Sequence, residues 1–262
     1  MSEVPEDDIA RCAATVRAHD PDRFRAAMVA PVSGRARLLP LYAFNLEVAR
    51  APWASGEAMI CEMRLQFWRD VLGEIAAGGP VRRHEVATPL AAAIVPEDAR
   101  RLDALIAARR WDIAREPFAD EAALLAHLDA LSGHLMWTAA RGLGAPETAE
   151  PVVRDLALAD GIARWLVAVP ILEARGRAPL PDGSADGIAR LAREGRGRLA
   201  GARRRRRELP RGVLPALLPA AVADPILAAA GADPGRVRAG RLAPSEARRR
   251  GVLAWRALSG RW

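Results

Sequence analysis

Carboxylates four residues apart on a helix share a face, and two such faces opposed can hold a hard cation such as magnesium between them. The acidic pairs of this 262-residue chain meet that condition poorly. Glu57 and Glu62 are five apart and diverge around a helix, while Glu116/Asp120 and Asp182/Asp186 fall at helix starts or in loops. Glu47, Asp160 and Glu173 stand singly. Cys12 and Cys61 lack CxxC or Cys/His spacing and read as buried free thiols rather than a disulfide or zinc site. His19, His84, His127 and His134 are scattered without metal spacing, and read as surface or hydrogen-bonded histidines. Arginine offers different chemistry. Arg50 and Arg164 could hold a phosphate directly, without a metal; the alternative is that they are solvated or pair with Glu47 and Asp160.

The elements that must position these groups are helices. Apolar residues recur at helical spacing along nearly the whole chain, and no segment alternates apolar with polar residues. The pattern predicts a short helix over 7–19, then a start at Asp20-Pro21-Asp22 with Phe24, Met28 and Val29 as its apolar side. Ser33 is a candidate cap for a helix carrying Leu38, Leu41, Tyr42, Leu46 and Ala49, disturbed at its end by Pro52. A helix over 55–75 carries Met59, Met63, Phe67, Val71 and Ile75, and Gly78-Gly79-Pro80 breaks it. Further helices are predicted from Thr88, through Leu102 to Ile113, from Asp120 to Gly142, and over 148–175 with a kink at Pro170. The last three are predicted over 185–208, 213–230 and 245–258. The fold class is all-α, and 1–262 reads as a single helical domain.

Composition narrows the function classes. Hydrophobic residues make up 51% of the chain, as a folded core requires, and the net charge is +7. All 39 basic residues are arginine, which reads as composition bias. The positive balance permits contact with phosphates or anionic lipid without choosing between them. Arg203 to Arg207 lack interleaved aromatics and make a poor nucleic-acid platform, so a solvated helix end is expected and no nucleic-acid partner. Arg248-Arg249-Arg250 with Leu253, Trp255, Leu258 and Trp262 resembles an interfacial helix, giving either peripheral membrane contact or packing on the domain. Ser2, Glu3, Glu6, Asp7 and Asp8 have the wrong polarity for a secretory signal, and Arg, Asp or Pro cut the apolar runs before about 20 residues. A cytoplasmic chain is expected, free or peripheral to the inner face of a membrane.

Several short pieces, in order, carry a resemblance. They are Tyr42-Ala43-Phe44 with Glu47, Arg64 with Trp68-Arg69, Asp112, Gly176-Arg177 with Leu180-Pro181, and Ala216-Leu217-Leu218-Pro219. Together they resemble the squalene/phytoene synthase family over residues 20–230, which implies an isoprenoid-synthase-type helical bundle. Enzymes of that family join two isoprenyl diphosphates through magnesium held by two aspartate-rich motifs. On this chain the first motif's aspartates fall on Ala49, Arg50 and Trp53. The second motif's fall on Ala168 and Leu172, and its asparagine on Arg164. The metal-ligand positions are therefore lost, and neither a catalytic residue nor a metal set is assigned.

The resemblance then implies a non-catalytic binding role with no cofactor. Tyr42, Phe44, Glu47, Arg64 and Arg164 are the candidate pocket-lining or phosphate-binding residues; for Tyr42, Phe44 and Trp53 the alternative is core packing. Residues 42–47 and 63–70 look most like the branch of mitochondrial complex I assembly factors, implying a respiratory-complex protein partner. The alternatives are an isoprenoid-lipid carrier, or a farnesyl/geranylgeranyl diphosphate transferase, the one case that would need magnesium.

Overall fold

Helix signals in the sequence become helices almost one for one in the computed structural model, which describes residues 6–262. Ser2 and Glu3, part of the acidic N-terminal reading, lie outside the described residues. α1 (Glu6–His19) leads to α2 (Pro21–Met28), where the Asp20 carboxylate accepts a bond from the Arg23 backbone N–H. α3 (Val32–Arg50) ends in a tight turn over Ala51–Trp53, and α4 (Ala58–Ala77) stops at Gly78, whose φ of 69° suits glycine. α5 (Ala87–Ala93), α6 (Pro96–Ala108) and the one-turn α7 (Trp111–Ala114) follow.

α8 (Glu121–Leu128), capped by Asp120, runs through a wider π turn at Asp129–Gly133 into α9 (His134–Gly142). α10 (Glu150–Ala174) continues through Pro170, and Ser184 caps α11 (Ala185–Arg204). The rest is α12 (Leu214–Leu217), α13 (Ala223–Ala232), α14 (Gly235–Arg238) and α15 (Glu246–Ser259). Among the described residues there is no strand.

α10 is the axis. It packs against α8, α9, α11 and α13, while α3 packs against α1, α5 and α9. Every residue from Leu38 to Asn45 is buried, so this middle stretch of α3 is enclosed on all sides. Burying each Leu or Phe there contributes about 1.5–3 kcal/mol. α10 and the π turn approach closely because position 161 is glycine: a Cβ there would sit 2.9 Å from Ser132 Oγ. Arg69 of α4 donates from Nε and Nη2 to Asp103 of α6 at 2.7 and 3.0 Å, tying those helices together.

Several expectations need correcting. Ser33 lies inside α3, because extended Pro31 occupies the cap position. Met28 and Val29 are exposed; the buried side of α2 is Ala26 and Ala27, with Ala26 packed by Leu218 and Leu253. Met59 and Met63 are exposed, while Cys61, Leu65, Trp68, Leu72 and Ile75 face the core. A strict spacing of four advances about 40° around the helix per step, so Met59 and Ile75 cannot share a face. The predicted helix over 213–230 is divided: α12 opens on Pro215, a tighter turn over Leu218–Val222 opens on Pro219, and α13 follows. Arg211–Ala232 does reach the length and hydropathy of a membrane span, contrary to the sequence reading, but 67% of its apolar window is buried inside the fold.

Candidate functional site

Two compartments flank the end of α3. The outer one is an open groove of about 1040 Å³ between α3 and α4. Its floor is Leu46, Ile60, Met63, Phe67 and Trp68, and Glu47, Ala49, Arg50, Arg64 and Arg175 stand around it. The inner one is a cavity of about 240 Å³ against α10, lined by Asn45, Arg109, Asp112, Arg164, Ala168 and Leu172 among others. Trp53 and Arg175 line both. The Arg175 guanidinium carbon lies 4.4 Å from the Trp53 ring centre and that of Arg177 4.9 Å away, so the indole is held by two cations. Trp53 and Arg175 thus form the wall between groove and cavity.

The sequence candidates divide between these places. Arg50 is half exposed and 3.9 Å from Glu47, both at the groove. Arg64 is exposed there and makes no ion pair among the described residues. Phe44 takes the core alternative: it meets Trp68 edge-on at 5.4 Å and lines neither compartment. Tyr42 is buried beside Arg23, whose guanidinium lies 5.7 Å from its ring, and its hydroxyl has no hydrogen-bond partner. Burial pushes that hydroxyl's pKa above the usual phenol range. Of the positions read as lost ligands, Trp53, Ala168 and Leu172 border the cavity, whereas Ala49 and Arg50 border the groove.

Arg164 donates from Nε to the buried Asp160 at 2.7 Å and from Nη2 to the Pro219 carbonyl at 3.0 Å. Burial alone would lower the Arg164 pKa, but Asp160 and Asp20 outweigh it and hold the guanidinium charged. Asp20, bonded to Arg23 at 2.6 Å, is likewise held below the ordinary carboxylate range: burial opposes this, and Arg23 and Arg164 prevail. Asp112 is raised by burial despite Arg109 at 3.5 Å, and burial lowers Arg109, whose Nε has no partner. Arg177 donates to the Asp112 backbone carbonyl, joining two of the short motifs behind the resemblance.

These residues do not fit magnesium. Ala49, Arg50, Trp53, Ala168, Leu172 and Arg164 offer no oxygen ligand at the positions where the resemblance places them. Among the described residues no group of three or more His, Cys, Asp or Glu side chains is placed to hold a metal ion. The arrangement suits direct recognition of an anion by guanidinium groups.

Sequence reasoning missed Arg23, Arg109 and Arg175 as site walls, and it misread His127. Trp111 and Phe118 stack at 4.8 Å, and the His127 ring lies 5.6, 5.1 and 5.4 Å from Trp111, Phe118 and Trp165. His127 is buried and its Nε2 has no partner, so it is neither a surface nor a satisfied histidine. Its place beside Leu124 and Leu128 on the apolar face of α8 was the available signal. His84 does fit the expectation, its Nδ1 accepting from the Val86 and Ala87 backbone at 3.0 and 3.4 Å.

Residues 16–249 match the family model described as squalene/phytoene synthase, so the chain belongs to that family. Among solved structures it is similar to a dehydrosqualene synthase in complex with ligand, with a TM-score of 0.80 and 13% identity over 97% of this chain and 96% of that one. It is also similar to squalene synthase HpnC from Alicyclobacillus acidocaldarius, with a TM-score of 0.73 and 17% identity over 87% and 95% of the two chains. At such identities the likeness is one of fold, the isoprenoid synthase fold. No curated protein matches the chain.

The buried histidine makes stability depend on pH. Burial, and secondarily Arg109, pushes His127 down to about 4. The unfolded chain takes up the proton near pH 6.5, so stability falls as pH drops from there towards about 4 and levels off below. His127→Phe removes this loss and retains on the order of 3 kcal/mol more stability across that window than the parent. Denaturant unfolding of both proteins at several pH values measures it; identical pH slopes would contradict the assignment.

Proposed function

We propose that this member of the squalene/phytoene synthase family acts by binding an anionic isoprenoid amphiphile and not by metal-dependent prenyl transfer. The observation that carries this is the groove itself. Arg50 of α3, at a position where the resemblance would put a metal-binding aspartate, Arg64 of α4 and Arg175 after α10 stand around an apolar floor built mainly by α4. Guanidinium groups are planar, permanently charged and shaped for bidentate contact with phosphate oxygens, so they can replace a metal in holding the headgroup. They supply no Lewis acid to ionise an allylic diphosphate.

Size supports the same division. Ligand sites commonly occupy about 300–1,000 Å³. The inner cavity, at about 240 Å³, falls below that range, and the groove, at about 1040 Å³, stands at its top. Trp53, with Arg175 and Arg177 against its ring, stands between the two spaces.

A second reading uses the same surface for a protein. The segments 42–47 and 63–70, which resemble the complex I assembly branch, both contribute to the groove through Leu46, Glu47, Met63, Arg64, Phe67 and Trp68. Exposed Met59 and Met63 beside it suit an apolar helix of a respiratory-complex subunit.

Purified protein incubated with magnesium and farnesyl or geranylgeranyl diphosphate releases pyrophosphate no faster than a control without enzyme. Release above that control would restore the transferase alternative. For the assembly reading, deletion of the gene lowers respiratory complex I activity; unchanged activity removes that reading and leaves the small-molecule one standing.

A further inference from the structure

The C-terminal helix α15 buries one side and leaves the other unpartnered. Leu253 packs against Leu218 and Ala26. At about 100° per residue, Trp255 and Leu258 lie roughly 60° apart on the far side. They are 67% and 86% exposed, an unusual state for a tryptophan and a leucine sharing one face. Arg248 is exposed on that outer side and makes no ion pair among the described residues.

Beside this face the chain builds a basic cleft of about 660 Å³, where the end of α11 and the loop before α12 meet the last turn of α15. Arg203, Arg206, Arg207, Arg211, Arg256 and Arg261 line it. Among the described residues, only Arg203 of these six has a carboxylate partner, Asp224 at 2.7 Å. The Arg203 Nε is buried with no hydrogen-bond partner. Arg256 is pushed below the ordinary arginine range, first by burial and then by Arg203, with Asp224 offsetting part and Arg261 adding to the shift. The expected solvated helix end is thus only partly present: α11 stops at Arg204, and Arg203 and Arg205 pair with Asp224 and Glu208.

A cleft of uncompensated guanidinium groups calls for phosphate-like anions. A free anion would use the cleft but has no use for the exposed Trp255 and Leu258. A single-stranded nucleic acid would call for a series of aromatic platforms and a duplex for cations alone, so neither accounts for the exposed Leu258 beside the cleft. A bilayer surface presents both chemistries at once, anionic headgroups over an apolar layer. We propose that the α15 end of the molecule docks on membranes containing anionic phospholipid, with headgroup phosphates in the arginine cleft and Trp255 and Leu258 in the acyl boundary. This surface is separate from the α3/α4 groove and stands whether or not the groove binds an isoprenoid.

Co-sedimentation of the full chain with vesicles tests it. Binding is expected to phosphatidylcholine vesicles containing phosphatidylglycerol, and not to phosphatidylcholine alone. The triple variant R206A/R207A/R211A alters exposed side chains and is expected to bind roughly 100-fold more weakly, as the loss of three cations at an anionic surface predicts. W255A/L258A is expected to weaken binding by at least about 10-fold through lost apolar contact. Circular dichroism of both variants matches the parent. Equal binding to neutral vesicles overturns the proposal, as do unchanged affinities in both variants. So does saturable binding of inorganic phosphate without sedimentation on any vesicle, which would mark a soluble-anion site.

Discussion

Two guanidinium groups closing on one indole set the organisation of this protein. Arg175 and Arg177 leave the end of α10 and meet Trp53, at the end of α3, with ring distances of 4.4 and 4.9 Å. Each such contact contributes about 0.5–2 kcal/mol, which suffices to keep an aromatic side chain in one place. The consequence exceeds the energy. The bundle has an outer groove and a smaller cavity that share Trp53 and Arg175 in their linings.

Charge enforces the same outcome from within. Asp20 and Asp160 are committed to Arg23 and Arg164. Breaking either pair would leave a largely buried carboxylate uncompensated, so these carboxylates are poorly available for a cation. Arg109 and Asp112 add a third, less complete pair, in which the Arg109 Nε remains unsatisfied. The interior therefore answers its own charges, and unanswered positive charge accumulates at the groove and at the C-terminal cleft.

Much of the fold was legible in the sequence, because helical periodicity and caps are local. Asp20 and Asp120 start helices through their carboxylates, and Gly78 ends one through its left-handed backbone. What was not legible depended on neighbours distant in the chain. The ladder from Met59 to Ile75 looked like a face until Trp68 and Leu72 took the core side. Trp53 was visible as an oddity, but its partners come from beyond α10, and no spacing rule joins them. Arg23 and Arg109 line the cavity from α2, which packs on α3, and from the end of α6, so tertiary packing and not local spacing brings them there. His127 sat in plain view on an apolar face, yet a histidine pattern alone does not reveal an unpartnered nitrogen.

The proposed function requires that an isoprenyl diphosphate be held by guanidinium groups without a metal ion. Isothermal titration calorimetry with farnesyl diphosphate, run once with magnesium and once with a chelator, tests that claim most directly. The account predicts saturable binding with the same affinity in both titrations, lost together with the charges of Arg50 and Arg64. Binding that appears only when magnesium is present would contradict it.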